Sequence, residues 1–580
     1  MPSHSAIAAA APSARSACCG SAPASPDPAE HAAPPVPPPL ETSACCGDPT
    51  PDPVAGTCCR DAADDCACHG KSATVTIRQA DVDIRSANQT AAPTADARTE
   101  RLPVAVIGAG PVGLTAAAHL VARGETPLVL EAGDSVGASI REWRHVRFFS
   151  PWKYVVEPTS RAMLEANGWT MPVEDQLPTG AELVDRLVEP LAALPAIAPH
   201  IRTGHRVTAV SRRGYDKVKT AGREAAPFEL VVRHADGHTS RLLARAVIDA
   251  SGTWRAPNPL GAGGLAADGE AEHRDRIHYG IPDVLGDARA RYAGKRVLVV
   301  GSGHSAFNTL LDLAALREVV QDTEILWAIR RPDAGLLFGG GRKDALPARG
   351  ALGGRLRHLI ETEAVRLAFN VRITRVAPFA GAMVVESDTG ARLGPFDEIV
   401  VATGFRPDLA LTRELRLRLD PWLEAPETLA PLIDPNLHSC GTVYPHGAAE
   451  LSHPERDYYT VGMKSYGRAP TFLLLTGYEQ VRSVVAALVG DEEGAREVHL
   501  VLPETGVCQT DLAGASTCCS TREAGEAAGM SAADGAAPSC GTGGGCGSAA
   551  SLAHIVSAVP SFGDHGFEEE PTSRALACCA

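Results

Sequence analysis

The sequence predicts an α/β protein with two parallel-sheet units and a tail at either end that does not fold, and three observations carry that expectation. Residues 104–120 and 294–308 each read as an apolar strand, a glycine turn and a small-residue helix. Each stretch is followed by a second apolar strand, at 127–131 and 324–332. Before about residue 100 and beyond about 500 the chain is rich in Ala, Gly, Pro, Ser and Cys without periodicity, a composition that cannot bury enough apolar surface to order.

In the first stretch the chain turns on Gly108, Gly110 and Gly113, with Pro111 at the head of the helix. Glycines let the backbone approach a phosphate, and a helix N-terminus offers free N–H groups and a positive dipole end. The following strand ends on Glu131, eighteen positions after Gly113, where a carboxylate can accept hydrogen bonds from a ribose diol. A lone G-x-G-x-x-G also fits an ordinary tight turn. Strand, glycines, helix, second strand and terminal acid in one unit define a Rossmann-like dinucleotide site.

Residues 141–154 are aromatic and basic together. They read either as a lining for a flavin ring and its phosphates, with Trp152 among them, or as a loop packed by its own aromatics. A helix is expected over 179–194 and a strand over 228–233. Another strand, at 246–254, ends in small residues that let a ligand or a backbone come close.

The second fingerprint is Gly301, Gly303 and Ala306, with Ser305 in the turn. Alanine is tolerated in third place because that position serves helix–strand packing. The strand after it ends on Arg330 and Arg331 where the first unit had an acid. Guanidinium groups there can clamp a 2'-phosphate, which predicts NADPH over NADH; the alternative is a solvated arginine pair. A strand over 396–408, a loop over 434–446, a strand ending at 466 and an amphipathic helix over 470–489 complete the ordered part.

The chain has 580 residues, too many for one core, and a formal charge of −15, which argues against nucleic acid or an anionic membrane as partner. No apolar run is long enough to span a bilayer, and the first residues lack the apolar stretch of a signal peptide, so the cytoplasm is expected. Of the 16 cysteines, Cys440 alone lies between residues 100 and 500. The tails carry adjacent pairs: Cys18 and Cys19, Cys45 and Cys46, Cys58 and Cys59, Cys518 and Cys519, Cys578 and Cys579. Thiolates are soft ligands, so these pairs are candidates for a thiophilic metalloid such as arsenite, the alternative being cysteines without a role. Zinc-knuckle spacing is absent. Residues 71–84 alternate enough for a short strand. Cys440 is either a packed thiol or a redox thiol facing a flavin.

With two fingerprints, the segment Val401-Ala-Thr-Gly-Phe-Arg-Pro-Asp408 and the return at Val461-Gly-Met463, residues 101–495 resemble the two-dinucleotide flavoproteins of the flavin-containing monooxygenase type. The resemblance implies FAD on Gly108, Gly110, Pro111, Gly113 and Glu131, and NADPH on Gly301, Gly303, Ser305, Ala306, Arg330 and Arg331. It further implies a discontinuous FAD-binding domain (101–254 and 405–495), an inserted NADPH-binding domain (255–404), and tails at 1–100 and 496–580. The reaction implied is oxygenation of a small soft nucleophile. Two departures stand out. The motif F-x-G-x-x-x-H survives only as Gly269 and His273, and residues 133–140 lack the C-x-x-x-x-C of the related disulfide reductases. Segments around His438-Ser-Cys-Gly, Met463-Lys-Ser-Tyr-Gly-Arg and Leu502-Pro-Glu-Thr-Gly-Val-Cys508 are similar to bacterial flavoproteins encoded beside arsenic-resistance genes. Three functions are thus open: a monooxygenase, a flavin-dependent thiol or metal-ion reductase using Cys440 and tail pairs, and a metalloid carrier.

Overall fold

The computed structural model describes residues 102–334, 337–338, 347–438, 445–470 and 472–500, all within one compact unit. The strand expected at 71–84 lies outside the described residues. So does Cys440, and so do the candidate metalloid ligands Cys18, Cys19, Cys45, Cys46, Cys58, Cys59, Cys518, Cys519, Cys578 and Cys579.

Strand β1 (Val104–Ile107) runs through the glycine turn into α1 (Pro111–Ala122) and returns as β2 (Pro127–Leu130), parallel to β1 with Val104 opposite Pro127. Helix α2 (Pro158–Glu165) starts at Glu157, whose side chain accepts from the Thr159 and Ser160 amides. The helix expected from residue 179 is present as the consecutive turns Gly180–Leu183, Val184–Val188 and Glu189–Ala192, the middle one π-helical. It starts where its sequence says, because Thr179 and Glu182 form a capping box. After β3 (Ile201–Arg202) come three antiparallel strands, β4 (His205–Arg212), β5 (Phe228–His234) and β6 (Thr239–Ala244), and then β7 (Ala246–Asp249), parallel to β1.

The chain then leaves for a second sheet. β8 (Ile277–Tyr279) precedes β9 (Arg296–Val300), α3 (His304–Val319), β10 (Glu324–Ala328), α4 (Pro347–Glu361) and β11 (Arg366–Ala368). An antiparallel layer of β12 (Ile373–Phe379), β13 (Ala382–Ser387) and β14 (Arg392–Phe396) follows, and β15 (Glu398–Val401) closes the sheet in the order β11-β10-β9-β15-β8. The chain returns with β16 (Tyr458–Thr460), which lies beside β7 and completes the first sheet as β16-β7-β1-β2-β3, and with α5 (Leu474–Leu488). The first domain is therefore discontinuous, and the second is inserted in it.

Both parallel sheets are covered on both faces, which is why their strands are continuous apolar runs. Val104, Val106, Ala246 and Ile248 join one core with α1 and α5, while Ala105, Ile107 and Val247 join another under β4–β6. In the second sheet Val297, Val299 and Trp327 pack toward α3, and Leu298, Val300 and Leu326 toward β12–β14. Successive side chains point to opposite faces, so one strand feeds two cores.

One helix is buried more deeply than its pattern suggests. The expected amphipathic helix forms, but its polar face is not left to solvent: every residue from Thr476 to Ala486 is buried, Glu479, Gln480 and Arg482 included. It is wrapped by α1 and by the last turns of the described chain, and its charges are neutralised inside. Arg482 bonds Glu479 and donates to the carbonyls of Gly494 and Glu497.

Candidate cofactor site

The two fingerprints form two cradles at the carboxyl edges of the two sheets. In the first, Gly108 has φ +100°, and a Cβ there would stand 2.8 Å from the Ala250 carbonyl oxygen. At Gly113 a Cβ would meet the Gly108 oxygen at 2.0 Å, so helix and turn touch backbone to backbone. Gly110 has nothing within 4 Å. Only this middle glycine faces open space, and it is the N-cap of α1, with Pro111 as the first helical residue. The second cradle repeats the plan. Gly301 has φ +130° and sits 2.2 Å, by the same measure, from the Ala402 oxygen; Gly303 is open and caps α3; Ala306 is buried. An open glycine on a helix N-terminus is what a pyrophosphate requires, so the residues present fit a dinucleotide in each.

Glu131 is held before any ligand arrives. Its two carboxylate oxygens accept from the Ala109 and Gly133 amides, each at 2.8 Å. Each oxygen retains a second acceptor position, so it can still take a ribose hydroxyl. At the matching place in the second unit, Arg330 extends over the surface and donates to the Ala262 carbonyl at 2.8 Å; Arg331 is half-buried beside it, and Ser305 lies in the first turn of α3.

Three of the cations in residues 141–154 are engaged within the protein. Arg141 pairs with Glu189 at 2.6 Å, Lys153 with Asp175 at 2.7 Å, and Arg147 donates to the Leu177 carbonyl. The aromatics pack mostly within the first unit, and one pair crosses to the second. Trp143 packs on Phe148 (centroids 5.6 Å apart) and Trp254 (6.3 Å), Trp254 on Phe405 (4.8 Å), and Phe149 on His304 (5.4 Å). His304 is the first residue of α3, so the first unit's loop reaches the mouth of the second cradle. Trp152 is fully buried in the first core, and its Nε1–H has no partner among the described residues. Gly269 and His273 make a structural lock: a Cβ at Gly269 would lie 2.2 Å from the Val376 oxygen.

Sequence reasoning missed the buried polar groups behind the first cradle. Asp249, at the end of β7, is wholly buried and pairs with Lys464 Nζ at 2.7 Å. Burial raises its pKa, but Lys464 and the Ser251 hydroxyl outweigh burial and keep the carboxyl ionised. Ser251 donates to it at 2.6 Å and accepts from Lys464 at 3.0 Å; Tyr458 donates at 3.0 Å. Ser251 adjoins Gly108, so the ion pair fixes the wall of the cradle. Gln480 bridges the Gly462 amide, Ser465 and His446 in the same way. A charged residue ending an apolar strand, as in Ala-Val-Ile-Asp249, was the one sequence signal available.

A cavity lined by His119, Arg123, Glu157, Glu479 and Arg482 lies at the opposite end of α1, about 18 Å of helix from the phosphate cradle. Among the described residues no group of three or more His, Cys, Asp or Glu side chains is arranged to hold a metal ion.

The fold and site thus define a two-dinucleotide α/β protein. A family model described as pyridine nucleotide-disulphide oxidoreductase matches residues 105–442, and the chain belongs to that family. The family is one of oxidoreductases that use a pyridine nucleotide, and each cradle fits a dinucleotide. The chain is 30% identical over 225 residues to an indole-3-pyruvate monooxygenase of Oryza sativa subsp. japonica. That match covers 38% of this chain and 47% of the relative, so the chain spans about half the length of the curated relative it matches. Similar solved structures include a cadaverine monooxygenase from Erwinia amylovora (13% identity, 71% of this chain and 99% of that one, TM-score 0.49). A flavin-containing monooxygenase from Stenotrophomonas maltophilia is 23% identical, covering 67% of this chain and 98% of its own, with TM-score 0.42. A bacillithiol disulfide reductase from Bacillus cereus is 17% identical, covering 67% and 99%, with TM-score 0.47.

Proposed function

We propose that this oxidoreductase is a cytoplasmic monooxygenase that oxidises a small soft nucleophile, with FAD held by residues 101–254 and 405–495 and NADPH by 255–404. The observation that carries the reading is the contact of Phe149 with His304, which brings the first unit's loop to the head of the second cradle's helix. Two carriers that exchange electrons need their cradles to face each other. The lack of any cysteine in residues 133–140 weighs against a resident dithiol there, and the curated relative is a monooxygenase.

In this reading the α1 and α3 N-termini hold the pyrophosphates, Glu131 orients the adenosine ribose, and Arg330 and Arg331 select the 2'-phosphate. Phe149 and His304 exclude water where the two units meet, and Trp143, Phe148, Trp254 and Phe405 add apolar packing on the first unit's side. Bound there, FAD and NADPH supply the two electrons that reduce O2, one oxygen atom entering the substrate and the other leaving as water. Trivalent arsenic is a soft nucleophile of the right class. The tail thiolates would be its ligands, from Cys18 and Cys19, Cys45 and Cys46, or Cys58 and Cys59 at one end, and Cys518 and Cys519, or Cys578 and Cys579 at the other.

Oxygen uptake by FAD-loaded protein with NADPH, with and without arsenite, tests the reading. Arsenite-stimulated uptake that persists in Cys440→Ser is expected; NADPH oxidation without oxygen uptake, abolished by that substitution, would replace the proposal with a reductase using Cys440.

A further inference from the structure

Three arginines from three parts of the chain converge on one glycine turn. Residues 261–264 are held by the Gly264 amide donating to the Gly261 carbonyl, and by the Ala262 amide donating to Ile373 at 2.9 Å. Gly264 has φ +79°, and Gly263 has nothing within 4 Å of where a Cβ would stand. Arg330, just past β10, donates to the Ala262 carbonyl. Arg406, on the return crossing just past β15, donates its Nε to Asn258 Oδ1 at 3.2 Å. A carbon added at Gly264 would lie 3.7 Å from Nη2 of Arg406 and 3.9 Å from Nη2 of Arg468. Both guanidinium groups therefore border one point in front of bare backbone.

The chain carries 69 acidic against 54 basic residues, and several of its arginines are matched by acids: Arg212 and Arg223 share Glu455, Arg291 takes Glu398, and Arg296 takes Asp397. Among the described residues, Arg330, Arg406 and Arg468 stand in no ion pair. The recorded side-chain partners of Arg330 and Arg406 are neutral oxygens, which leaves most of their five donors each unspent. The turn lies beside the carboxyl ends of β10 and β15, the edge at which open parallel sheets take ligands.

We propose that Arg330, Arg406 and Arg468, around the glycine turn at 261–264, form a binding site for an oxyanion, a phosphate or a carboxylate. Guanidinium forks match either group, and the absent Cβ at Gly264 lets the anion approach the backbone. The anion comes either from the NADPH phosphate or from an acidic substrate, and only that choice of source rests on the two-cofactor reading.

The test is calorimetric titration of inorganic phosphate into the full-length, FAD-loaded protein. Wild type should bind phosphate, and Arg468→Ala should weaken binding about tenfold or more, as expected for losing a charged hydrogen-bond donor. Arg468→Lys should recover part of it. Arg468 is exposed, so an unchanged melting temperature will show that the variants fold. Repeating the titration with saturating NADP+ separates the sources: vanished phosphate heat assigns the anion to the cofactor, and persisting heat assigns it to a substrate. The heat of NADP+ binding, read in the same experiment, tests the two-cofactor reading separately. Phosphate binding equal in wild type and Arg468→Ala, or no phosphate binding at all, overturns the site.

Discussion

The two cradles share a plan and differ at two points, and the differences show what each position is for. In third place the first has Gly113 and the second Ala306. The first turn packs so tightly on its helix that a Cβ would sit 2.0 Å from the Gly108 oxygen, whereas the second accommodates a buried methyl group. At the second strand's end the first has a carboxylate already bonded to two amides of its own loops, and the second has an arginine reaching across the surface to another loop. The acid belongs to a preformed wall, and the arginine to an adjustable rim.

Exchanging the third residues should break that comparison most sharply. Gly113→Ala should cost about 3 kcal/mol as an overpacked contact between backbones and abolish FAD retention. Ala306→Gly should cost about 0.5–1 kcal/mol and leave NADP+ binding in place. Chemical denaturation and flavin absorbance read both. Next in size are two acids with opposite signs, Glu157, buried in the first unit, and Asp312, half-buried in the second. Burial raises the Glu157 pKa, but its bond to His119 and the Ser160 and Thr159 amides overcome that and bring it to about 2. Its stabilisation is complete above the usual carboxylate value and is lost as pH falls from about 4.5 toward 2. Burial, helped by Asp283, raises Asp312 to about 6, so its folded form loses stability as pH rises through that range. At pH 7, Glu157→Gln should therefore destabilise and Asp312→Asn stabilise, each by on the order of 2 kcal/mol, and the Asp312 gain should disappear near pH 3.5. Melting curves against pH check the pair. The smallest effects sharpen the wall-and-rim contrast. Glu131→Gln sets one amide N–H against a backbone N–H and should weaken FAD about tenfold with NADP+ affinity unchanged. Arg331→Ala should raise KM for NADPH about tenfold with NADH unaffected.

Both cradles were legible because their information is local. Gly108 through Glu131 occupy one strand–helix–strand unit, and each glycine answers to a neighbour close in sequence or on the next strand. Residues 179–182 likewise announced their helix through a capping box. The aromatic stretch at 141–154 left two readings open. Arg141, Arg147 and Lys153 are engaged and the rings pack on Trp254 and His304, and all of this depends on partners such as Glu189 and Asp175 from other segments. The helix at 474–488 is present as expected, but the burial of its polar face depends on other segments. A helical polar stripe reads as solvent-facing, whereas here other segments cover it and supply partners for Glu479, Gln480 and Arg482.

By itself the amino-acid sequence determined two nucleotide turns, an acid ending one unit and arginines ending the other, since these depend on backbone freedom and charge within a few dozen residues. Only the tertiary structure decided which buried charges meet: Asp249 with Lys464, Glu455 with Arg212 and Arg223, and the three arginines around residues 261–264. The physical reason is distance along the chain. A buried charge is stable only beside its partner, and in these three buried ion pairs the fold brings together partners 215, 243 and 232 residues apart.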